Sequence, residues 1–314
     1  MKTALPVIEL TPFLGPSTRE SKLTCAASLA AACKNHGFFY LRSPLPPALE
    51  SRALSLARGF FLDTPLAAKN ALARTPADPA RGYQCLNENH HSGTTPDHHE
   101  AVDFYRPAPT NHTAGLFSGP NLWPVDPEHR AVFDELWGRL ETVGQAAVTA
   151  MAWALGYEDE PAVIGRNMHD SFWAARWIGY PPLPPGSAGF SCGEHTDYGG
   201  VTFLLMDDTP GALEVENSDG RWVKVNPLEG AYVVNIGDMV ERWTNGMWKS
   251  TKHRVVHAGE GYRVSLPFFY DPDWDAVVGP LEKCIMATGG LRRYEDVVYG
   301  EHLRERVHGT LGDV

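Results

Sequence analysis

Two histidines and an aspartate in the second half of the sequence have the residue types of a metal site. His195 and Asp197 are two positions apart, so on an extended strand their side chains point to the same side. A third ligand must come from elsewhere, and His253 lies in another segment that has the pattern of a strand. Two neutral imidazoles and one carboxylate form the facial ligand set of non-haem Fe(II) sites, which leaves coordination positions open for co-substrate and oxygen. The three residues therefore indicate a candidate Fe(II) site.

An arginine and a serine follow His253 on the next predicted strand. Arg263 and Ser265 are also two positions apart and share one strand face. A guanidinium beside a hydroxyl is well suited to hold a carboxylate through paired, charge-assisted hydrogen bonds. The alternative is an arginine in a surface salt bridge. The order of the motifs along one half of the chain favours the carboxylate-binding interpretation.

Other histidines compete for a ligand role. His257 has the same strand parity as His253, so geometry alone does not separate the two. A second cluster consists of His90, His91, His98 and His99. It lies in a polar segment, where solvated imidazoles are the more common outcome. We therefore expect this cluster not to bind a metal.

Short segments rich in β-branched and aromatic residues dominate the second half of the chain. They span 171–180, 201–206, 212–216, 221–225, 231–236, 253–257 and 262–270. Turn dipeptides separate several of them, and Asn245-Gly246 is the strongest single signal for a hairpin. Short strands with regular turn signals and no intervening helices predict a sandwich or barrel, here a jelly roll.

The first half of the chain carries helical patterns. Hydrophobic residues fall on one helical face in 21–35, and a second helical pattern runs over 47–61. Asp126 followed by Pro127 is typical of the start of a helix and predicts a long one there. Residues 81–121 have few periodic signals and are predicted to be mostly loop. We therefore expect helices packed around one all-β core.

Composition excludes several function classes. The 314 residues include 27 Lys+Arg and 38 Asp+Glu, a net charge of −11, and no basic stripe of the kind that nucleic-acid binding needs. The sequence contains no run of about 18 apolar residues, so it predicts no membrane span. Its first residues have no signal-peptide pattern. The five cysteines are scattered, which favours free thiols in a reducing compartment. We expect a cytoplasmic monomer that binds neither nucleic acid nor membrane.

Several motifs along the chain occur in an order that resembles one enzyme family. The matching segments are distributed over nearly the whole chain. They are LPVIEL (5–10), NHGFF (35–39), RGY (81–83), NLWP (121–124) and VVNIGDMVERWTNGMWKSTKHRV (233–255). With this collinear set, the sequence resembles the iron(II)- and 2-oxoglutarate-dependent oxygenases of the isopenicillin N synthase-like family. The resemblance implies a mainly β fold with helices, in which a distorted jelly roll (double-stranded β-helix) is flanked by N-terminal helices. The expected parts of this one compact unit are an N-terminal region (1–165), the core (166–275) and a C-terminal segment (276–314).

The resemblance also implies roles for individual residues. By position, the iron ligands are His195, Asp197 and His253, and the groups that bind the distal carboxylate of 2-oxoglutarate are Arg263, Ser265 and Tyr180. The family places its second histidine ligand directly before Arg-Val, which selects His253 over His257. The chain departs from many plant members at Ile178, where they have an asparagine, so one polar contact near the co-substrate is expected to be missing.

The implied activity is that of an oxidoreductase, an Fe(II)- and 2-oxoglutarate-dependent dioxygenase acting on a small molecule of secondary or hormone-like metabolism. It would use O2 to hydroxylate, desaturate or cyclise the substrate and form succinate and CO2, with ascorbate as an optional reductant. The residues expected to line the pocket are Phe104, Tyr105, Trp243, Phe268 and Tyr270, and they favour an apolar or planar substrate. Two alternatives stay open, namely an iron oxidase of this fold that does not use 2-oxoglutarate, and a non-catalytic small-molecule receptor. The intact Arg263/Ser265 pair argues against the first, and the intact ligand triad against the second.

Overall fold

The structure, a computed structural model, describes residues 5–76, 78–89, 96–107, 117, 119–187 and 189–311. Within these ranges the elements are, in chain order, β1 (Val7–Ile8), α1 (Thr11–Leu14), α2 (Arg19–Asn35), β2 (Phe38–Arg42), α3 (Pro47–Asp63), α4 (Leu66–Asn70), β3 (Gly82–Gln84), β4 (Glu100–Tyr105), α5 (Pro127–Ala154), α6 (Ala162–Gly165), β5 (Ala174–Tyr180), β6 (Cys192–His195), β7 (Val201–Met206), β8 (Leu213–Glu216), β9 (Trp222–Val225), β10 (Ala231–Ile236), α7 (Asp238–Trp243), β11 (His253–Val255), β12 (Arg263–Tyr270), β13 (Val277–Val278), α8 (Glu282–Ala287), β14 (Val297–Val298) and α9 (Tyr299–Leu311).

Two facing sheets form the centre of the molecule. In the part of the chain that the structure describes, the larger sheet has eight strands in the order β1-β2-β10-β7-β12-β5-β4-β3, and the smaller has four in the order β6-β11-β8-β9. A buried apolar cluster contains residues of both sheets, for example Val233 of β10 and Val215 of β8. The jelly-roll prediction is confirmed, and each of the seven predicted strand segments contains a strand.

Strand alternation gives the larger sheet two different faces. On β12, Arg263 and Ser265 point toward the smaller sheet, because Ser265 is in register with Ile178, which belongs to the cluster between the sheets. Phe268 and Tyr270 have the other parity and belong to the second core. That core packs the sheet against the helices, and the ring of Tyr270 lies directly against α5. The face toward the smaller sheet is called the inner face below, and the other the outer face.

The long helix α5 forms as the sequence predicts. The Asp126 side chain accepts a hydrogen bond of 2.9 Å from the Glu128 amide, and Pro127 occupies the first turn. The earlier helical pattern corresponds to α2, which ends where Gly37 adopts a positive φ of 67° and donates its amide to the Ala32 carbonyl. These caps fix where the helices that cover the outer face begin and end.

The predicted hairpin at Asn245-Gly246 is wrong. Both residues have positive φ, 53° and 77°, but they follow helix α7 and do not join two paired strands. The buried Asn245 side chain instead donates to Thr288 Oγ1 at 2.6 Å and to the Leu291 carbonyl at 2.9 Å. The left-handed turn therefore holds the C-terminal segment against the core.

The prediction of mostly loop over 81–121 is wrong for two segments within it. Strands β3 and β4 extend the larger sheet beyond β5, and β4 pairs with β5 over its whole length. Residues 90–95, 108–116 and 118 lie outside the described part. The inner face of β3 and β4 carries polar residues such as Gln84 and Asp103, which hides the usual apolar alternation of a strand.

Across the ranges described, no helix combines the length and apolar composition that a membrane crossing requires.

Two glycines of α5 give a matched test of the packing between helix and sheet. A Cβ at Gly144 would lie 2.5 Å from Cγ of Tyr270, whereas one at Gly138 would meet nothing within 4 Å. We expect Gly144→Ala to lower the free energy of unfolding by about 1–3 kcal/mol through overpacking. Gly138→Ala should raise it by about 0.5–1 kcal/mol, because alanine favours the helix. Urea unfolding followed by circular dichroism measures both, and equal effects would contradict the close contact of α5 with the sheet.

Candidate active site

The three predicted metal ligands converge at one end of the smaller sheet. His195 ends β6, Asp197 lies in the turn that follows, and His253 begins β11. The two strands are antiparallel neighbours with His195 directly opposite His253. Asp197 Oδ1 lies 3.8 Å from His195 Nε2 and 3.6 Å from His253 Nε2. One ligand atom from each residue lies within 4.8 Å of the other two, an arrangement that can hold a metal ion.

Backbone carbonyls orient both imidazoles. Nδ1 of His195 lies 2.8 Å from the Gly193 carbonyl oxygen, and Nδ1 of His253 lies 3.2 Å from that of Thr251. Because a carbonyl oxygen only accepts hydrogen bonds, each Nδ1 carries the proton. Each Nε2 then has its lone pair free for a metal, which is the usual arrangement of metal-binding histidines.

The carboxylate of Asp197 is held in the same way. Its Oδ2 accepts hydrogen bonds from Thr202 Oγ1 and, at 2.6 Å, from Asn235 Nδ2. This leaves Oδ1 directed toward the imidazoles. Burial opposes ionisation, but the two histidines and the two hydrogen bonds outweigh it and hold the pKa of Asp197 below its ordinary value. The carboxylate is therefore charged at neutral pH and suited to a cation.

The competing histidines lie elsewhere. His257 follows the end of β11, is buried, and has Nε2 3.0 Å from the Gly261 carbonyl oxygen. His98 Nδ1 lies 3.0 Å from Asn87 Oδ1, and His99 Nδ1 lies 2.6 Å from the Ser191 carbonyl oxygen. None of these three belongs to the metal-ligating group found among the described residues. His90 and His91, the other members of the predicted cluster, are outside the described part of the chain.

Arg263 has the surroundings of an anion-binding residue. It is fully buried, its guanidinium lies 4.6 Å from the centre of the Tyr180 ring, and its Nη2 lies 3.9 Å from Met206 Sδ. Its Nε and Nη1 have no hydrogen-bond partner among the residues described. A buried cation without an anion is unfavourable by several kcal/mol. A bound dicarboxylate fits this position, because one of its carboxylates would satisfy the guanidinium.

Ser265 and Tyr180 complete this group on the inner face. Ser265 Oγ lies 3.5 Å from the Tyr180 hydroxyl, and Arg263 is directly opposite Tyr180 in the β12–β5 ladder. The structure therefore brings all three predicted co-substrate residues together. Ile178 lies directly opposite Ser265 and is buried, so the position where many plant relatives have a polar asparagine is apolar here.

A cavity of about 180 Å³ adjoins the metal-ligating group, and His195 and Asp197 form part of its wall. Its charged and amide lining residues, besides His195 and Asp197, are Arg74, Gln84, Asn89, Asp103, Arg176 and Asp271. Burial raises the pKa of Asp271 to about 7, against the opposing effect of hydrogen bonds from the Tyr299 hydroxyl and the Gly200 amide. The wall therefore combines charged and amide side chains, which the sequence did not predict there, with apolar ones such as Phe269 and Leu303.

Of the five aromatic residues predicted to line the pocket, the structure places one in the cavity wall, Tyr105. The other four belong to the core on the outer face and are Phe104, Trp243, Phe268 and Tyr270. Strand alternation explains three of them, since Phe104 neighbours the inward Asp103 and Tyr105, and residues 268 and 270 have the parity opposite to Arg263. Trp243 ends helix α7 and is buried.

Three polar residues of the cavity wall were not identified from the sequence. Arg176 lies on a predicted strand, four residues before Tyr180 and with the same parity, and this could have placed it on the inner face. Gln84 and Asp103 lie on β3 and β4, which the sequence predicts as loop, so no alternation indicated their direction.

Comparison with known proteins identifies the family. The family model "2OG-Fe(II) oxygenase superfamily" matches residues 167–272, and "non-haem dioxygenase in morphine synthesis N-terminal" matches 5–126. A relative from Oryza sativa subsp. japonica, homoarginine-6-hydroxylase 2-ODD-233, is 38% identical over 97% of this chain and 96% of its own length. A relative from Glycine max, homoarginine-6-hydroxylase 2-ODD-C23, is 34% identical over 99% of this chain and 98% of its own length.

A solved structure is similar over the same extent. A 2OG-Fe(II) oxygenase family protein from Caulobacter crescentus superimposes with a TM-score of 0.83 at 28% identity, covering 98% of this chain and 99% of that one. Family, fold and metal-ligating group thus agree with one another, and the receptor and the oxidase without 2-oxoglutarate are not favoured. The chain belongs to the 2-oxoglutarate- and Fe(II)-dependent oxygenases, and it is an enzyme of that class.

Proposed function

We propose that this oxygenase hydroxylates a small polar amino acid, with guanidino amino acids such as homoarginine as the first candidates. The observation that carries the proposal is the group of polar side chains, Arg176, Asp103 and Gln84, in the cavity wall next to the metal-ligating group. The names of the rice and soybean relatives give the same substrate class. One C–H bond, O2 and 2-oxoglutarate would give one C–OH group, succinate and CO2.

In this proposal His195, Asp197 and His253 hold Fe(II). Bound together, the metal and 2-oxoglutarate supply the oxygen chemistry, in which one oxygen atom enters the substrate and the other enters succinate. The protein positions the participants and balances their charges. Asp197 offsets part of the metal charge, and Arg263 offsets the far carboxylate of the co-substrate, with Ser265 and Tyr180 beside it.

A polar substrate agrees with the cavity better than the apolar or planar one that the sequence suggested. Filling the space with an apolar molecule would remove the remaining nitrogens of the Arg176 guanidinium from water and leave Gln84 Oε1 without a donor, which is unfavourable. A polar amino acid offers both donors and acceptors. The aromatic residues behind the apolar expectation lie mainly in the outer core.

Loss of a proposed ligand should abolish turnover without unfolding the chain. We expect His195→Ala and His253→Ala to bind no Fe(II) in equilibrium dialysis and to form no succinate, because two ligands do not complete the facial triad. Their circular dichroism spectra should match that of the unchanged protein.

His98→Ala is the matched control, because His98 is partly exposed and lies outside the metal-ligating group. It should keep both Fe(II) binding and turnover. An inactive His257→Ala variant beside an active His253→Ala variant would show that the wrong histidine has been chosen.

Arg263 should affect the co-substrate and not the metal. We expect Arg263→Gln to raise the KM for 2-oxoglutarate by about 100-fold, since it removes a buried charge partner of the far carboxylate. The affinity for Fe(II) should stay the same. Steady-state succinate formation and metal dialysis measure the two quantities, and a matching loss of Fe(II) affinity would contradict the separation of roles.

The substrate class is tested by succinate release with L-homoarginine, L-arginine and L-lysine against a set of planar aromatic acids. We expect succinate to form in amounts equal to an amino-acid product that is heavier by one oxygen atom, as mass spectrometry can show. Turnover of the aromatic acids alone would reject the amino-acid proposal. A product lighter by two hydrogen atoms would show desaturation in place of hydroxylation.

A further inference from the structure

Three adjacent strands carry polar side chains on the inner face, next to the metal-ligating group. Arg176 of β5 is directly opposite Asp103 of β4, and Asp103 is directly opposite Gly82 of β3. Gln84 lies two residues after Gly82 and therefore on the same face. All three polar side chains line the cavity.

Asp103 is held from both sides. Arg176 Nε donates to its Oδ1, and Gln84 Nε2 donates to its Oδ2. The carboxylate is only 5% exposed. Arg176, Asp103 and Gln84 therefore form one hydrogen-bonded unit in the cavity wall, because each oxygen of the Asp103 carboxylate has its own donor.

Two kinds of hydrogen-bonding group in this unit remain without a protein partner. The Nη1 and Nη2 atoms of Arg176 make no hydrogen bond to any residue that the structure describes, and the side chain is 20% exposed. Gln84 Oε1 also has no partner within the described ranges, although the residue is only 3% exposed. A buried acceptor without a donor is unfavourable by about 1–3 kcal/mol. One donor fork and one acceptor thus remain available in the wall.

The charges of the unit indicate what fits it. Arg176 and Asp103 together have no net charge, so a lone anion or a lone cation would match only half of the unit. A zwitterion matches both halves, since a guanidinium fork binds a carboxylate in two parallel hydrogen bonds. An ammonium group can donate to Gln84 Oε1 and to the edge of Asp103.

We propose that Arg176, Asp103 and Gln84 form the subsite that binds the α-carboxylate and α-ammonium groups of an amino-acid substrate. The inference rests on the function proposed above and goes beyond it by assigning the residues that select the substrate. Arg176 receives the carboxylate, and Gln84 with Asp103 receives the ammonium group.

The subsite is separate from the co-substrate residues. Arg176 is four residues from Tyr180 on β5, about 13 Å along an extended strand, and Tyr180 is opposite Arg263. The two arginines therefore bind two different carboxylates on one face of one sheet. A change at Arg176 should leave the KM for 2-oxoglutarate unchanged.

The test pairs the loss of a protein group with the loss of a substrate group. The probes are L-homoarginine and homoagmatine, the same molecule without its carboxylate. We expect the unchanged enzyme to prefer homoarginine in kcat/KM by at least about 30-fold, as expected for a paired charge-assisted contact. Arg176→Gln should lose most of this preference through a higher KM for homoarginine at nearly constant kcat.

A second variant, Gln84→Leu, tests the ammonium half of the subsite. Its probes are homoarginine and the analogue of homoarginine that lacks only the α-amino group. This variant should lose the preference for the amine and keep the preference for the carboxylate. Arg176→Gln should show the reverse pattern. A purely structural role of the three residues would lower activity with all probes alike, which would overturn the proposal.

Arg52→Gln is the control for loss of an arginine–carboxylate pair, because Arg52 binds Glu128 through two hydrogen bonds on the surface, away from the cavity. It should behave like the unchanged enzyme. Should Arg176→Gln not fold, Arg176→Lys retains the charge without the fork, and the same loss of preference is expected.

The outcomes separate this inference from the proposed function. If the unchanged enzyme turns over amino acids and Arg176→Gln keeps the full preference for the carboxylate, the subsite is wrong and the proposed function stands. If the unchanged enzyme releases succinate with no amino acid, the proposed function fails, and the subsite with it. If another amino acid is the better substrate, it and its decarboxylated analogue replace the probes, and the same loss of preference in Arg176→Gln is required.

Discussion

The two-residue alternation of the larger sheet is the constraint on which the site depends. Each strand sends alternate side chains to opposite faces, and the unbroken register from β7 through β12, β5 and β4 to β3 keeps each face consistent across five strands. The outer face then packs against α5 and its neighbours, while the inner face carries the polar side chains of the candidate site. A shift of β12 by one residue would bury Arg263 among the helices and turn Phe268 toward the cavity.

Hydrogen bonds from the surrounding protein orient the metal-ligating group. Carbonyl oxygens fix the imidazoles of His195 and His253, and Thr202 and Asn235 hold Asp197 from the inner face of β7 and β10. The larger sheet thus supports ligands that belong to the smaller sheet and its loop. Such supporting contacts bring the ligands close to their bound geometry, so less ordering is needed when the metal binds.

Sequence reasoning succeeds where the local pattern and the tertiary role agree. Strands of the second half are apolar and separated by turns, and the Asp126-Pro127 cap starts α5. Sequence reasoning also brings His195 and Asp197 together, although Asp197 lies in the turn after β6 and not on the strand that their spacing suggested. It fails where tertiary contacts decide. Asn245 and Gly246 both have a left-handed backbone conformation, but their turn makes a long-range contact with the C-terminal segment and does not form a hairpin. Phe268 and Tyr270 were expected at the pocket, although the parity of Arg263 already assigns them to the outer face.

The failure at β3 and β4 has a physical cause that is informative about function. Much of the inner face is apolar, as at Ile178 and Val233, where it forms the core between the sheets. Gln84 and Asp103 break that pattern on short strands, so the sequence does not look like strand there. Burying polar side chains in such a place lowers stability unless they are satisfied, and departures of this kind tend to mark functional sites. Arg263 breaks the same pattern further along the sheet, on β12 beside Tyr180. The polar residues of the inner face therefore lie where we propose that the metal, the co-substrate and the substrate bind.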